Sequence, residues 1–266
     1  MLCCASCPGR DRRSRGLEVE PQGVLTRDDI KNGWVQKMVA ELGGVMRVLS
    51  EDELVASLDA ALRGADLSAG VWLFAYGSLI WNPAFHFSDR RIATIYGHHR
   101  RFCLWTHLGR GCPERPGLVL GLERGGSCRG VAYRVAPEIA REELGIVWRR
   151  EMVSGAYLPR WITARTERGP VRAIGFVINH AHERYARYLP DQRVAEVIAT
   201  AEGRLGPCAD YLVNTVDHLA ELGIHDAPLE RLRARVLALR AAASPSAGPT
   251  HFPREGSNER SRSGRS

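Results

Sequence analysis

The sequence has no run of apolar residues that approaches the roughly 20 needed for a membrane-spanning helix. Its first twenty residues carry four arginines, but no apolar segment follows them as it would in a secretory signal. These absences exclude a helical membrane protein and argue against secretion. We predict a soluble, cytoplasmic protein with no membrane partner.

A disulfide framework and a metal cluster are also missing. The seven cysteines are odd in number and scattered, so we expect reduced thiols in a reducing compartment. Cys3, Cys4 and Cys7 stand close together, but no second ligand pair follows at zinc-finger spacing. We interpret them as part of a disordered terminus and predict no metal site.

The net charge of +7 comes without the signature of a nucleic-acid-binding fold. The sequence has no RNP, helix-turn-helix or finger motif, and its aromatic residues are not interleaved with basic ones along one exposed face. A mild positive bias suits a small anionic substrate as well as a nucleic acid. We predict no nucleic-acid partner, and a non-catalytic binding module stays open as the alternative.

What the chain does contain is the composition of a globular protein, with 44% hydrophobic and 25% charged residues. Its 266 residues are enough for a substantial core. Shifts in composition predict three zones. These are a disordered N-terminus over residues 1–23, a folded domain with a helical N-terminal extension over 24–240, and a disordered tail over 241–266.

Helices are predicted at both ends of the folded zone. Apolar residues recur at helical spacing from a start near Thr26 through Leu42, until Gly43 and Gly44 interrupt them. Ser50 and Glu53 form a capping box before a second helix. Further helices are predicted from near Pro137 and over 194–202, 209–222 and 228–240.

Strands fill the middle of the chain. Apolar or alternating runs bounded by Gly or Pro predict strands over 71–76, 91–106, 117–122, 130–135 and 171–178. Most strands precede the last helices instead of alternating with them. This order favours an α+β fold.

One candidate binding segment follows the first of these strands. Gly77 lets the backbone turn sharply and approach a ligand, and consecutive N–H groups at such a turn can form an anion-binding concavity. Ser78 adds a hydroxyl donor. The same residues also suit an ordinary turn, so the pattern alone leaves both interpretations open.

Glu151 is the second candidate. On a helix of 3.6 residues per turn it shares one face with Leu144, Val147 and Trp148, where a carboxylate is unexpected. Burial there would raise its pKa towards the range useful for proton transfer at neutral pH.

The neighbours of Glu151 leave an alternative open. Arg149 and Arg150 are predicted to face other directions, so that neither is its simple partner. Because Gly155 and Pro159 follow closely, Glu151 could instead end the helix and point to solvent.

Several segments resemble, in order and spacing, the motifs of the ChaC family of glutathione-specific γ-glutamylcyclotransferases. The YGSL motif alone is not specific, but the ordered set is, and the resemblance covers roughly residues 71–222. The matching segments are 72–81 with the YGSL motif, 100–102 with the RRF strand, 115–117 with the RPG turn, 130–133 with the GVAY strand, 150–157 with the RE…GxY segment and 210–212 with the late EYL motif.

The resemblance implies a small mixed β-barrel flanked by helices. It implies a lyase that converts glutathione to 5-oxoproline and cysteinylglycine without cofactor or metal, with Glu151 as the catalytic acid/base. The substrate-binding residues it implies are Leu73, Phe74, Ala75, Tyr76, Gly77, Ser78 and Tyr211.

Two alternatives concern the substrate and the nucleophile. A cyclotransferase acting on other γ-glutamyl amino acids or amines would share the chemistry, although the RRF strand and the GAYLPRW segment favour glutathione. Cys208 departs from the asparagine that is frequent at its position in the family. It precedes a predicted helix and could be read as a nucleophile, but no nucleophile motif surrounds it. His180 and His182 are interpreted as a surface turn.

Overall fold

The computed structural model describes residues 23–41 and 46–243. Nearly all of both predicted disordered segments therefore lies outside the described residues, as do Cys3, Cys4, Cys7, Leu42, Gly43 and Gly44. The division of the chain into three zones stays a prediction.

Five strands close into a small barrel in the order β1-β3-β2-β4-β5. Most neighbours are antiparallel, but β5 returns to pair in parallel with β1, through Trp72 opposite Ala173. The mixed barrel, with helices around it, confirms the predicted α+β class. The strands are β1 (Val71–Ala75), β2 (Asp89–Thr106), β3 (Gly117–Val135), β4 (Tyr157–Thr166) and β5 (Gly169–Ile178).

Large apolar side chains fill the interior, as expected of a barrel with few strands. Leu73, Leu120, Ile174 and Phe176 are each no more than 1% exposed, and they come from three different strands. The barrel is therefore a packed core, and a ligand site has to form at its margin.

Helices precede, interrupt and follow the barrel. In the described ranges none of them is long and apolar enough to cross a bilayer. They are α1 (Arg27–Lys31), α2 (Trp34–Glu41), α3 (Glu51–Leu62), α4 (Ser78–Trp81), α5 (Ala140–Glu151, after a 3₁₀ turn Pro137–Ile139), α6 (Asp191–Thr200), α7 (Cys208–Glu221) and α8 (Ala227–Ala243); the two-residue strands β6 (Glu202–Gly203) and β7 (Gly206–Pro207) separate α6 from α7.

The described part of the helical N-terminal extension contains three helices, whereas the sequence predicted two. The capping box of Ser50 and Glu53 is confirmed at the start of α3. The apolar run from Thr26 was predicted as one helix, and this was wrong, because α1 ends at Lys31 and Asn32 is its C-cap. Gly33 adopts a φ of 66°, a left-handed conformation that ends helices and that glycine adopts without strain.

The two strands predicted over 117–122 and 130–135 are in fact one strand, β3. Gly125 and Gly126 lie between the two predicted strands and adopt φ values of 95° and 69°. The neighbouring strand β2 shifts its register by a bulge between Tyr96 and His98, and pairing resumes on both sides. The glycines therefore form a bulge inside a long hairpin.

Strand β4 was not predicted. Its Pro159 has no N–H to donate, which argues against a central strand. Pro159 lies opposite Phe176 on the stretch of β4 that lacks a second neighbour, because β2 pairs with β4 only through Ala93 and Thr94. Proline is tolerated at this open edge.

Helix α5 is anchored on two sides. Its apolar stripe packs on the barrel, and the Trp148 indole N–H donates to the hydroxyl of Ser57 in α3 at 3.3 Å. On another side Glu143, only 1% exposed, is held by Arg27 and by the amide of His86. This double attachment fixes where the end of α5 lies.

Candidate active site

Glu151 is the last residue of α5, and its side chain is 13% exposed. The stripe that precedes it is buried as predicted, with Leu144, Val147 and Trp148 each no more than 1% exposed. The helix ends at Glu151, as the solvent-facing alternative supposed. The carboxyl nevertheless lies inside, because the chain turns back after Met152 and enters β4.

The carboxyl shares a small cavity with the turn that follows β1. Of the predicted substrate-binding residues, four line this cavity beside Glu151, while Leu73, Phe74 and Ala75 are buried core residues of β1 and do not. The complete lining is Tyr76, Gly77, Ser78, Leu79, Leu120, Glu151, Tyr157, Phe176 and Tyr211.

One cation accompanies Glu151. Burial raises the pKa of Glu151, and Arg150, whose Nε lies 3.3 Å from the carboxylate Oε1, opposes this rise. The prediction that Arg150 would not pair with Glu151 was wrong. At the helix end the two side chains converge although they are sequence neighbours, and Arg150 also donates to the carbonyl of Asn82. Arg149 does point away, and binds Glu51.

Two tyrosines beside the carboxyl have their only hydroxyl proton committed elsewhere. Tyr76 donates to the carbonyl of Phe176 at 2.9 Å, and Tyr157 donates to the carbonyl of Leu120 at 2.7 Å. Burial raises the pKa of both phenols, so they are neutral. Glu151 therefore receives no proton donor from either, and its anionic form is poorly solvated. Such a carboxyl holds a proton more readily than an exposed one, which suits a group that accepts a proton and returns it.

The turn at Gly77 is shaped by close approach. A Cβ at this position would lie 3.0 Å from the Tyr211 hydroxyl oxygen and 3.5 Å from Leu120 Cδ1. Tyr211 is itself held by edge-on contacts with Trp81 and Phe102, at centroid distances of 6.1 and 5.9 Å. A residue without a side chain is what lets this turn reach the cavity.

Hydrogen-bond donors at this turn are unused. The amides of Gly77 and Ser78 and the hydroxyl of Ser78 donate to no other described residue. The first amides of a helix lack partners within it, and α4 begins at Ser78. These donors can therefore bind an anion or a polar oxygen without breaking an existing hydrogen bond.

A second cavity adjoins the first. The two share Ser78, Glu151, Tyr157 and Tyr211, so they form one continuous site. The second cavity adds apolar residues and two arginines, and its other lining residues are Leu104, Val119, Arg150, Val153, Ser154, Ala156 and Arg184.

Sequence reasoning missed Tyr157, Arg150 and Arg184 as site residues. Tyr157 belongs to the RE…GxY segment and could have been found there. Arg184 follows β5 in a turn with no recognisable motif, and no signal in the sequence marks it. Arg184 reaches the cavity only because the barrel closes.

Two other candidates considered in the sequence, Cys208 and the turn at His180 and His182, do not line the cavity with Glu151. Cys208 is buried, its Sγ lies 3.1 Å from the carbonyl of Leu118, and burial raises its thiol pKa to about 11, which disfavours a thiolate nucleophile. The surface turn at His180 and His182 is confirmed, with the amide of His182 donating to the carbonyl of Asn179 at 3.0 Å.

Comparison with known families matches residues 71–239 to the family described as ChaC-like protein. This match spans the whole barrel, α5, and almost all of the three last helices. The chain belongs to the ChaC-like family. The family match includes both walls of the cavity, since the Gly77 turn and Glu151 lie within it.

Relatives within the ChaC-like family have a named activity. The chain is 40% identical over 221 residues to the glutathione-specific gamma-glutamylcyclotransferase of Escherichia coli, covering 82% of this chain and 94% of that protein. It is 31% identical over 158 residues to glutathione-specific gamma-glutamylcyclotransferase 1 of Homo sapiens, covering 58% of this chain and 71% of that one.

A solved structure from yeast supports the fold. The crystal structure titled as a glutathione-specific gamma-glutamyl cyclotransferase superposes with a TM-score of 0.60. The superposition covers 65% of this chain and 98% of the yeast chain at 23% identity. The ChaC-like barrel is thus shared, together with the helices around it.

Proposed function

We propose that this protein is a glutathione-specific γ-glutamylcyclotransferase, a lyase that converts glutathione to 5-oxoproline and cysteinylglycine. The observation that carries the proposal is the cavity shared by the buried carboxyl of Glu151 and the turn at Gly77 and Ser78. The E. coli relative, matched over 94% of its length, supports the choice of substrate.

The reaction is a ring closure within one molecule. The α-amino nitrogen of the γ-glutamyl group attacks its own γ-carbonyl carbon, a new C–N bond forms, and the amide C–N bond to cysteine breaks. No nucleophile from the protein is needed. Holding the substrate in a bent conformation supplies much of the acceleration, because orientation removes a large entropic part of the barrier.

Glu151 handles the protons in this proposal. The substrate amine begins as an ammonium and ends as a lactam N–H, so two protons travel from it to the departing cysteinyl nitrogen. A carboxyl of raised pKa carries each of them in turn, as a base first and an acid afterwards. Arg150 keeps enough of the anion present for the first step.

The turn after β1 binds the other end of the γ-glutamyl group. The unused amides of Gly77 and Ser78 and the Ser78 hydroxyl are placed to receive the substrate α-carboxylate. The same kind of donor stabilises the negative oxygen that develops on the γ-carbonyl. Tyr211 forms the wall behind the turn and limits the pocket to a small, bent ligand.

The test is an assay of the purified protein with glutathione, without added metal or nucleotide. We expect 5-oxoproline and cysteinylglycine in equal amounts, and much slower release of 5-oxoproline from γ-glutamyl-alanine. Formation of glutamate instead of 5-oxoproline, or no product at all, would contradict the proposal. Faster turnover of γ-glutamyl-alanine would favour the broader cyclotransferase.

A further inference from the structure

Arg184 lines the second cavity but not the first. Its guanidinium is held by the protein at one end only. Nε donates to the carbonyl of Trp105 at 2.7 Å, and Nη1 donates to the Ser154 hydroxyl at 2.9 Å and approaches Met46 Sδ at 3.9 Å. Nη2 has no hydrogen bond to any described residue.

Arg184 also lacks a counter-ion. No carboxylate in the described ranges comes within 4.0 Å of it, whereas Arg150 on the same cavity has Glu151. Burial lowers the pKa of Arg184, which reflects the cost of holding this charge away from water, and Glu183 relieves that cost only in part. A buried cation without an ion pair is an unfavourable arrangement unless a ligand completes it.

The second cavity is also lined by four apolar residues. These are Leu104, Val119, Val153 and Ala156, which share the cavity with Glu151 and Arg184. A thiol-bearing side chain behaves as a small hydrophobe and suits such a surface. A ligand here would combine a small apolar group with a terminal anion.

The departing half of glutathione has this form. The cysteinyl residue bears a small thiol, and the glycyl residue ends in a carboxylate. Two residues span at most about 7 Å, so the glycyl carboxylate lies within about that distance of the bond that is cleaved. The γ-glutamyl carboxylate is already assigned to the turn at Gly77, which leaves the glycyl carboxylate to be matched.

We propose that Arg184 binds the glycyl carboxylate of glutathione through a bond donated by Nη2, and so selects the tripeptide over shorter γ-glutamyl compounds. This inference rests on the proposed function, since it concerns the same substrate. Arg184 would be a substrate-binding residue that acts on affinity, and it would take no part in proton transfer.

The experiment compares glutathione with its glycinamide, which differs only in replacing the terminal carboxylate by a neutral amide. We expect wild-type protein to show a kcat/KM about 10- to 100-fold higher for glutathione, mostly through KM, as for loss of one charge-assisted hydrogen bond. In Arg184→Met the two substrates should become nearly equal. Arg193→Met is the matched control, because Arg193 is an exposed arginine on α6 whose one ion pair within the described residues is with Glu196.

The outcomes separate cleanly. Equal kcat/KM for the two substrates with wild-type protein would overturn the role of Arg184, and this comparison needs no variant to fold. Retention of the full preference by Arg184→Met would overturn it as well. Absence of 5-oxoproline from wild-type protein and glutathione would overturn the proposed function itself. Loss of the preference in Arg184→Met and its retention in Arg193→Met would support the inference.

Discussion

Glu143 and Glu151 lie on the same helix, and their side chains are 1% and 13% exposed, yet their pKa values move in opposite directions. Burial acts to raise both. In Glu143 the hydrogen bonds from Arg27 and from the amide of His86 outweigh burial and lower the pKa. In Glu151 burial prevails over the single cation Arg150, and the pKa rises.

The difference lies in the number of donors. Both oxygens of Glu143 are bound by Arg27, and one of them also accepts the amide of His86 at 2.9 Å. Glu151 has one contact with Arg150 at 3.3 Å, and Tyr76 and Tyr157 give their protons to backbone carbonyls. A buried carboxylate marks a catalytic position when its surroundings withhold donors. Burial alone does not.

The largest expected effect separates the two glutamates by activity. Glu151→Gln should reduce kcat for 5-oxoproline formation by about 10²- to 10⁴-fold, the usual contribution of a general acid/base. Its melting temperature at neutral pH should be at or above that of wild type, because an amide avoids the cost of a buried charge. The measurement is turnover beside calorimetric glutathione binding. Substantial turnover by this variant would remove Glu151 from the proposed role.

A pair of glycines extends the comparison to the backbone. Gly77→Ala places a Cβ 3.0 Å from the Tyr211 hydroxyl oxygen, so we expect kcat/KM to fall by about 10- to 100-fold from misplacement of the turn. The control is Gly145→Ala in α5, where the nearest atom is the end of Arg149 at 3.7 Å. That change should raise stability by about 1 kcal/mol through helix propensity. Equal activity of both variants would show that the close approach at Gly77 does not matter.

For Glu143 the expected effect is on stability. Glu143→Gln should lower the free energy of unfolding by about 2–3 kcal/mol, because it removes the partner of a partly buried cation. The value is at the low end for a buried pair since Arg27 is 22% exposed and can reach water. Urea denaturation measures the loss. Activity of the folded protein should stay close to wild type, and a large fall in kcat would mean that the two ends of α5 are not separable.

The smallest effect, and the sharpest test of sign, is the pH dependence of stability. The lowered pKa of Glu143 contributes stability above the unfolded pKa of about 4.3, and this contribution is lost as pH falls through the folded pKa. The raised pKa of Glu151 has the opposite sign, with a penalty that grows as pH rises from about 4.3 through the folded pKa. Between acid and neutral pH, Glu151→Gln should therefore gain stability relative to wild type, and Glu143→Gln should lose it. Parallel curves for the two variants would contradict the opposite shifts.

Much of the fold could be predicted because its signals are local. The capping box at Ser50, the stripe that leads to Glu151 and the helices after the barrel all depend on neighbours within two turns. The failures involve distant partners. Gly125 and Gly126 interrupt the apolar pattern of β3, which only the pairing with β2 makes continuous. Pro159 is unexpected in a strand unless one edge of that strand is open.

The site divides in the same way. The Gly77 turn and the acidic residue at 151 were visible as motifs, whereas Arg150 was misjudged because ideal helix geometry does not hold at a helix end. Arg184 and Phe176 reach the site only because β5 and the turn after it close the barrel against α5. Residues that reach a site only because a sheet closes into a barrel cannot be predicted from the spacing of residues along the sequence.

The attachment of α5 at Glu143 also determines the direction in which Glu151, at the end of the same helix, points. Each residue added to a helix turns everything beyond it by about 100° and advances it by about 1.5 Å. Arg27 binds Glu143, and the cavity contains Glu151. The number of residues between these two glutamates therefore fixes the direction in which the Glu151 carboxyl points. A one-residue insertion after Gly145 would keep every side chain around Glu143 and around Glu151. It would nevertheless rotate the Glu151 carboxyl out of the cavity.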